Sequence, residues 1–234
     1  MQPFRLDGSF LRLRGQYPEV ALLTDVVRAV DDRDRAAIVR LWLTEGIPYG
    51  FQPCPGLYEA IRSWLAGRLL VHPKDVTVIG SARIGYSLSP TRELGRPFGA
   101  HSDLDFCIVS PNLFQQLVDT FHHWAEEYRS DLVHPRDERE RVLWDENLNV
   151  VPRGTGRGAI DPKKIPTWDR YPIAQKVVTA LWALTKKLAV TRDGPVTCRS
   201  SVRVYRDWDA LGRVVSANLR LASGSALRPQ GGAA

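Results

Sequence analysis

Two short apolar runs, at residues 76–79 and 104–109, constrain the possible fold of this sequence more than any other feature. Their residues are mostly β-branched, aromatic or aliphatic, and a loop with several Gly and Pro residues joins them. Each run therefore predicts a β-strand. Strands of this kind need an apolar layer against them, and the flanking segments have helical periodicity. We predict an α/β protein of the α+β type, with helices covering a small sheet.

Two acidic residues stand among the apolar residues of the second run: Asp103 directly precedes it and Asp105 lies within it. Residues two apart on a strand face the same side, about 6.6 Å apart along the chain. Two carboxylates in one small volume repel each other unless a positive charge lies between them. Magnesium prefers such oxygen ligands and is commonly held by one or two acids together with substrate phosphates. The pair therefore predicts a divalent-cation site.

The first run ends in Gly80 and Ser81. A Gly-Ser turn at the end of a strand lets backbone N–H groups approach phosphate oxygens, and the hydroxyl adds a donor. The alternative interpretation is a surface strand with two solvated aspartates and an unrelated turn.

Gly80, Ser81, Asp103 and Asp105 together resemble the mark of the DNA polymerase β-like nucleotidyltransferases, in which Gly-Ser follows one strand and Asp-x-Asp lies on the next. The resemblance covers about the middle third of the chain. It implies a short mixed β-sheet flanked by helices. In that family about a dozen residues or fewer usually separate the two motifs. Here the 21 residues 82–102 do so, which predicts an inserted loop over the site that closes on nucleotide through Arg92, Arg96 and Phe98.

The resemblance also implies an activity: transfer of a nucleoside monophosphate from an NTP to an acceptor hydroxyl, with release of pyrophosphate. Two Mg²⁺ ions, or Mn²⁺ in their place, would bind Asp103 and Asp105. A third carboxylate is expected on a later strand, where Asp207 is the first candidate and Asp131 its competitor. Contacts to the nucleotide are expected from Gly80, Ser81, Arg83, Tyr86 and Ser87.

Charge is unevenly distributed along the chain. Residues 1–150 hold 17 Lys and Arg against 21 Asp and Glu, whereas residues 151–234 hold 15 against 5. This asymmetry favours a polyanionic partner for the C-terminal part, and we expect a nucleic-acid acceptor such as RNA or tRNA. The alternative is that these basic residues are the solvated faces of helices. The expected acceptor-binding residues are Arg153, Arg157, Lys163, Lys164 and Arg203.

The chain divides into a predicted N-terminal helical layer (1–70), a catalytic domain with a basic helix-strand-helix end (71–222) and a disordered tail (223–234). Within the helices we expect Leu41, Trp42 and Trp182 to face the core. Helices are predicted at 19–30, 31–43, 57–70, 112–128, 135–148, 173–188 and 211–221, a Gly- and Pro-rich crossover at 150–166 and a strand at 201–205.

The sequence has no run of about 18 apolar residues and no signal-like apolar start, so we expect no membrane span. Its three widely spaced cysteines form no metal or disulfide pattern, which favours a reducing cytoplasm. Adjacent His122 and His123 point in different directions on a helix and do not predict a metal site. Two other functions stay open: a degenerate nucleotidyltransferase fold that binds nucleotide or RNA without turnover, and a glycosyltransferase using Asp-x-Asp.

Overall fold

A four-stranded mixed sheet forms the centre of the protein. The computed structural model describes residue 3, residues 8–89 and residues 93–225, with the backbone alone at residue 225. The strands lie in the order β1-β2-β4-β3, where β1 pairs antiparallel with β2, β2 parallel with β4, and β4 antiparallel with β3. This confirms the predicted fold class, a mixed sheet flanked by helices. The strands are β1 (Val76–Ile79), β2 (Asp103–Val109), β3 (Ala159–Ile160) and β4 (Arg199–Tyr205).

Most helices begin and end close to where apolar periodicity and capping residues predict them. For example, Ser110 accepts a hydrogen bond from the Leu113 N–H, and Pro111 occupies the first turn of the helix that follows β2. The α-helices are α1 (Gly8–Arg12), α2 (Val20–Ala29), α3 (Asp32–Ile38), α4 (Pro55–Leu69), α5 (Ser81–Ile84), α6 (Pro111–Arg129), α7 (Glu138–Gly156), α8 (Pro172–Ala189) and α9 (Trp208–Ser225). A π-helix (Val39–Thr44) continues α3, and 3₁₀ turns lie at Tyr49–Phe51, Pro73–Asp75 and Pro162–Lys164.

The alternation of side chains along the strands divides the core into two clusters. On one face, residues such as Val78, Phe106 and Val204 pack against α4, α6, α7 and α8. On the other face, residues such as Cys107 and Tyr205 pack against α2, the π-helix and α9. The helices of residues 1–70 therefore contribute to both sides of the sheet.

Two side chains expected in the core are exposed. Leu41 is 52% exposed, because the wider turn of the π-helix places it outside the buried stripe. Trp182 is 62% exposed, because the inward stripe of α8 passes through its neighbour Leu181. The prediction that these two residues face the core is wrong, whereas Trp42 is half-buried against the second cluster.

The predicted crossover at 150–166 is also partly wrong, since α7 continues through Pro152 to Gly156. Buried Val151 and Trp144 fix this helix to the sheet, and tertiary packing outweighs the local cost of the proline. At the C-terminus α9 extends to Ser225, so the first three residues of the predicted tail are helical, and residues 226–234 lie outside the described part of the chain. Within the described ranges, no helix combines the length and apolar character that a membrane span requires.

Candidate functional site

The turn after β1 brings the backbone directly against one of the paired carboxylates. Gly80 has φ +72° and ψ −151°, a conformation that side-chain-bearing residues rarely adopt. A Cβ atom at this position would lie 3.3 Å from Asp105 Oδ2. Strand pairing produces this proximity, because Ile79 of β1 is in register with Asp105 of β2. The Gly-Ser turn and the Asp-x-Asp strand, separate motifs in the sequence, thus form one site.

Asp103 and Asp105 both face a cavity of about 640 Å³ on the α9 side of the sheet. Of the other predicted nucleotide-binding residues, Gly80, Ser81 and Ser87 line the same cavity. Apolar residues of α9, including Val215 and Leu219, form part of its wall, together with Ile79, Leu43 and Leu88. The cavity therefore combines an apolar wall with carboxylates, hydroxyls and exposed backbone.

An arginine of β4 binds Asp103 through two parallel hydrogen bonds. Arg199 Nε lies 2.9 Å from Oδ1 of Asp103, and Arg199 Nη2 lies 2.9 Å from Oδ2. The Cys198 thiol also donates to Asp103 Oδ1, at 3.0 Å, and this hydrogen bond raises the pKa of the thiol. Asp105 accepts a hydrogen bond from Ser201 Oγ. The strand β4 and the residue before it thus supply hydrogen-bond partners to both acids.

Asp207 is not the third carboxylate of this group. Because β2 and β4 run parallel with Asp103 opposite Arg199 and Val109 opposite Tyr205, residues beyond Tyr205 lie at the far end of the sheet from Asp103. Asp207 caps α9 there, accepting from the Ala210 N–H at 2.6 Å and from Arg206 Nε at 2.8 Å.

The competing candidate, Asp131, is also absent from the cavity lining. It lies in the turn after α6, with Oδ1 3.3 Å from His134 Nδ1. The strand positions beside Asp103 and Asp105 hold Arg199 and Ser201 instead. Throughout the part of the chain that the structure describes, no group of three or more His, Cys, Asp or Glu side chains is arranged to hold a metal ion.

Arg83 and Tyr86 point away from the cavity, so their predicted contacts with nucleotide are not supported. Arg83 is 1% exposed and donates to the Ile47 carbonyl at 2.5 Å, and burial lowers its pKa. The Tyr86 hydroxyl donates to the Pro18 carbonyl at 2.7 Å. The short helix α5 turns the chain after Ser81 and directs both side chains towards the N-terminal segments.

The two ends of the segment 82–102 border the cavity. Ser87 and Arg96 line it, and a bridge between Tyr86 and Pro97 holds the two ends together. Phe98, predicted to close over nucleotide, packs instead against the hydrophobic core and beside Gly50. Arg92, the third residue of that prediction, lies outside the described residues.

The residues expected to bind an acceptor are split between two places. Arg203 lines the cavity, on the strand face that it shares with Arg199 and Ser201. The others lie on the last turns of α7 and the 3₁₀ turn after β3, at the edge of the sheet opposite β1, and do not line the cavity: Arg153, Arg157, Lys163 and Lys164.

Sequence reasoning missed Arg199, Cys198 and Ser201 as site residues. Alternation on the last strand was the available signal, because Arg199, Ser201 and Arg203 share its polar face. Only the pairing with β2 shows that this face adjoins the two acids.

Comparisons with known proteins assign neither a family nor a function to this chain. The chain matched no protein-family model, no curated protein and no solved structure.

Proposed function

We propose that the cavity between the Gly80 turn and the strands β2 and β4 binds an NTP with a divalent metal ion, and that the protein is a nucleotidyltransferase. It would transfer a nucleoside monophosphate to an acceptor hydroxyl and release pyrophosphate. The observation that carries this proposal is the closeness of the Gly80 turn to Asp105, since a Cβ atom at position 80 would lie 3.3 Å from Asp105 Oδ2. This proximity supports the proposal because a turn whose backbone N–H geometry suits phosphate and a carboxylate suited to a metal ion share one small volume.

The donor set fits magnesium or manganese. Two carboxylates and the Ser201 hydroxyl offer the oxygen ligands that these hard cations prefer, and phosphate oxygens and water complete such sites. With two carboxylates rather than three, we propose that Asp103 and Asp105 hold one ion firmly. When bound, a divalent ion neutralises triphosphate charge and lowers the pKa of an attacking hydroxyl.

The rest of the cavity suits the phosphates and the nucleoside. Its volume of about 640 Å³ lies within the range of small-molecule sites. Ser81 and Ser87 offer hydroxyl groups, and Arg96 and Arg203 offer positive charge to the phosphates. The apolar wall from α9, including Leu219, offers a surface for the base and sugar.

The test is a double variant, Asp103→Ala with Asp105→Ala. In the parent we expect pyrophosphate release with at least one NTP in the presence of Mg²⁺ and total cell RNA or lysate, and a higher melting temperature with Mg²⁺ plus that NTP. Both should vanish in the variant. The fold should remain intact, because the exposed Arg199 side chain can be solvated without Asp103 and the loss of two neighbouring like charges relieves repulsion.

The control removes the same charge from an exposed helix face, with Asp119→Ala and Glu126→Ala in α6. This control should behave as the parent does. Pyrophosphate release that survives in the Asp103 and Asp105 variant would show that the catalytic assignment is wrong.

A second candidate is a nucleotide- or RNA-binding protein of the same fold without turnover. Two observations favour it: Ser201 stands beside Asp105 on the later strand, and Arg199 already pairs with Asp103. Such a protein would retain the NTP-dependent rise in melting temperature and release no pyrophosphate with any NTP. The same assay therefore distinguishes the two candidates.

A further inference from the structure

The ion pair between Arg199 and Asp103 occupies both oxygens of a carboxylate to which the proposed function gives a metal ion. The two hydrogen bonds are equal in length, 2.9 Å each, and the pair is bidentate. The guanidinium and a divalent cation compete for the same oxygens and repel each other. Metal binding at Asp103 therefore requires Arg199 to weaken or leave this contact.

The environment of the pair allows Arg199 to move. The Arg199 side chain is 66% exposed, whereas the Asp103 side chain is 14% exposed. The guanidinium is hydrated when the contact opens, so the cost of opening lies in leaving the Asp103 carboxylate without its partner, and a bound cation removes that cost. The carboxylate stays in place because its strand is central in the sheet, while the long arginine side chain has solvent on most sides.

Nucleotide phosphates bound in the adjoining cavity would offer the Arg199 guanidinium a second partner. Arg199 lies on the same face of β4 as Arg203, which lines the cavity. Guanidinium groups bind phosphate with the same two-pronged geometry that they use for carboxylates. Triphosphate bound at the Gly80 turn would bring such oxygens towards this end of the sheet.

We propose that Arg199 exchanges partners: it neutralises Asp103 in the empty site, and moves to the nucleotide phosphates when a metal ion takes its place on Asp103. This inference rests on the proposed function and adds a positioning residue to it. The exchange would make metal and nucleotide bind cooperatively, because each ligand removes an obstacle to the other. Arg199 would thus oppose metal binding without nucleotide and favour nucleotide binding with metal.

The test measures the two affinities separately in Arg199→Ala, with Arg199→Gln as a second variant that keeps a polar side chain. Mn²⁺ binding without nucleotide is followed by titration calorimetry or electron paramagnetic resonance. We expect roughly tenfold tighter Mn²⁺ binding, since a positive charge beside the site is removed. At saturating Mn²⁺, a non-hydrolysable NTP analogue should bind about tenfold more weakly, because a charge-assisted phosphate contact is lost.

The matched control is Arg206→Ala. It removes an equivalent exposed arginine–aspartate pair, with Nε 2.8 Å from Asp207 Oδ2, at the other end of the sheet. Neither affinity should change in this variant. A merely structural ion pair at Arg199 would change the melting temperature and neither affinity.

The outcomes separate the exchange from the proposed function. Opposite shifts of the two affinities in both Arg199 variants support the exchange. If the parent binds Mn²⁺ and nucleotide and either affinity is unchanged in the variants, the exchange is wrong and the proposed function stands. If neither the parent nor the variants bind Mn²⁺, the metal site itself is wrong and both proposals fail.

Discussion

At the scale of single residues, two aspartates with arginine partners illustrate how position decides a role. Asp103 lies in the cavity wall beside a second carboxylate and pairs with Arg199, where we propose that a metal ion competes with the guanidinium. Asp207 lies at the start of α9 and accepts a hydrogen bond from the Ala210 N–H, a donor that has no partner within the helix. The same residue type thus lines a cavity in one place and caps a helix in the other.

We predict that Asp207→Ala destabilises the fold by about 1 kcal/mol at neutral pH, the usual effect of removing a helix N-cap. The hydrogen bond from Arg206, followed by that from the Ala210 N–H, lowers the pKa of Asp207 below its ordinary value of 3.8. Its stabilisation is therefore complete above about pH 4 and is lost as pH falls through the lower folded-state pKa.

Melting temperatures of the parent and Asp207→Ala, measured from pH 7 to pH 2.5, check this prediction. The difference between them should be constant down to about pH 4 and should shrink below it. Metal binding should be the same in both proteins, because Asp207 lies at the opposite end of the sheet. A lower metal affinity in Asp207→Ala would show that Asp207 contributes to the metal site.

At the scale of elements, the unit formed by β1, its turn and β2 places a constraint on position 80: the residue there must be glycine. The antiparallel pairing sets Ile79 opposite Asp105, so the turn begins directly beside a carboxylate. The positive φ of Gly80 is needed to direct the chain into α5, and the missing Cβ leaves room for Asp105 Oδ2. Local backbone geometry and site geometry therefore depend on the same residue.

We predict that Gly80→Ala lowers the free energy of unfolding by roughly 1–3 kcal/mol, because φ +72° with ψ −151° is a backbone region that is essentially confined to glycine. It should also weaken Mn²⁺ binding, because the new methyl group displaces the Asp105 carboxylate. Denaturant unfolding and Mn²⁺ titration measure the two effects.

The control is Gly67→Ala inside α4, where a Cβ meets no atom within 4 Å. Alanine is a better helix former than glycine, so this variant should gain roughly 0.5–1 kcal/mol without altering metal binding. Normal stability and normal Mn²⁺ affinity in Gly80→Ala would contradict the constraint.

At the scale of the whole molecule, charge and site are arranged on different parts of the surface. The carboxylates face a cavity at one end of β2, while most of the predicted acceptor-binding residues lie near β3 at the far edge of the sheet. Arg203 of β4 is the member of that group that lines the cavity. A long, flexible polyanion suits such a separation better than a small acceptor, since it can contact both places at once.

We therefore predict that an RNA acceptor binds with strong salt dependence. Each phosphate contact releases counterions, so the logarithm of the binding constant should fall with the logarithm of salt concentration by about 0.7 per contact on a single strand. A triple variant with Arg157, Lys163 and Lys164 changed to Ala should flatten this slope and weaken binding across sequences. Its affinity for NTP should be unchanged, because these residues lie outside the cavity.

The matched control removes three exposed arginines from the N-terminal two-thirds of the chain, with Arg33, Arg129 and Arg139 changed to Ala. Filter binding at several salt concentrations compares the two triple variants. The control should keep the slope of the parent. The prediction is wrong if the acceptor affinity does not depend on salt, or if the parent and both triple variants have equal slopes. Either result would show that this basic surface does not bind the acceptor.

Local sequence patterns were enough to predict most of the elements and the first half of the candidate site. Alternating and helical apolar patterns fixed β1, β2, β4 and most helices, because burying those patterns is what stabilises them. The spacing of Asp103 and Asp105 on one strand placed both carboxylates on one face. These are local properties, because the side-chain pattern of a single strand or helix depends on residues that are close together in the sequence.

Tertiary structure alone decided what stands beside those acids. Arg199 and Ser201 are 96 residues away from their partners Asp103 and Asp105 in the chain, and parallel pairing of β4 with β2 brings them together. The same register carries Asp207 to the opposite end of the sheet, although its position after a strand made it the best sequence candidate. Strand order and register depend on how all the helices pack on both faces, which no short stretch of sequence encodes.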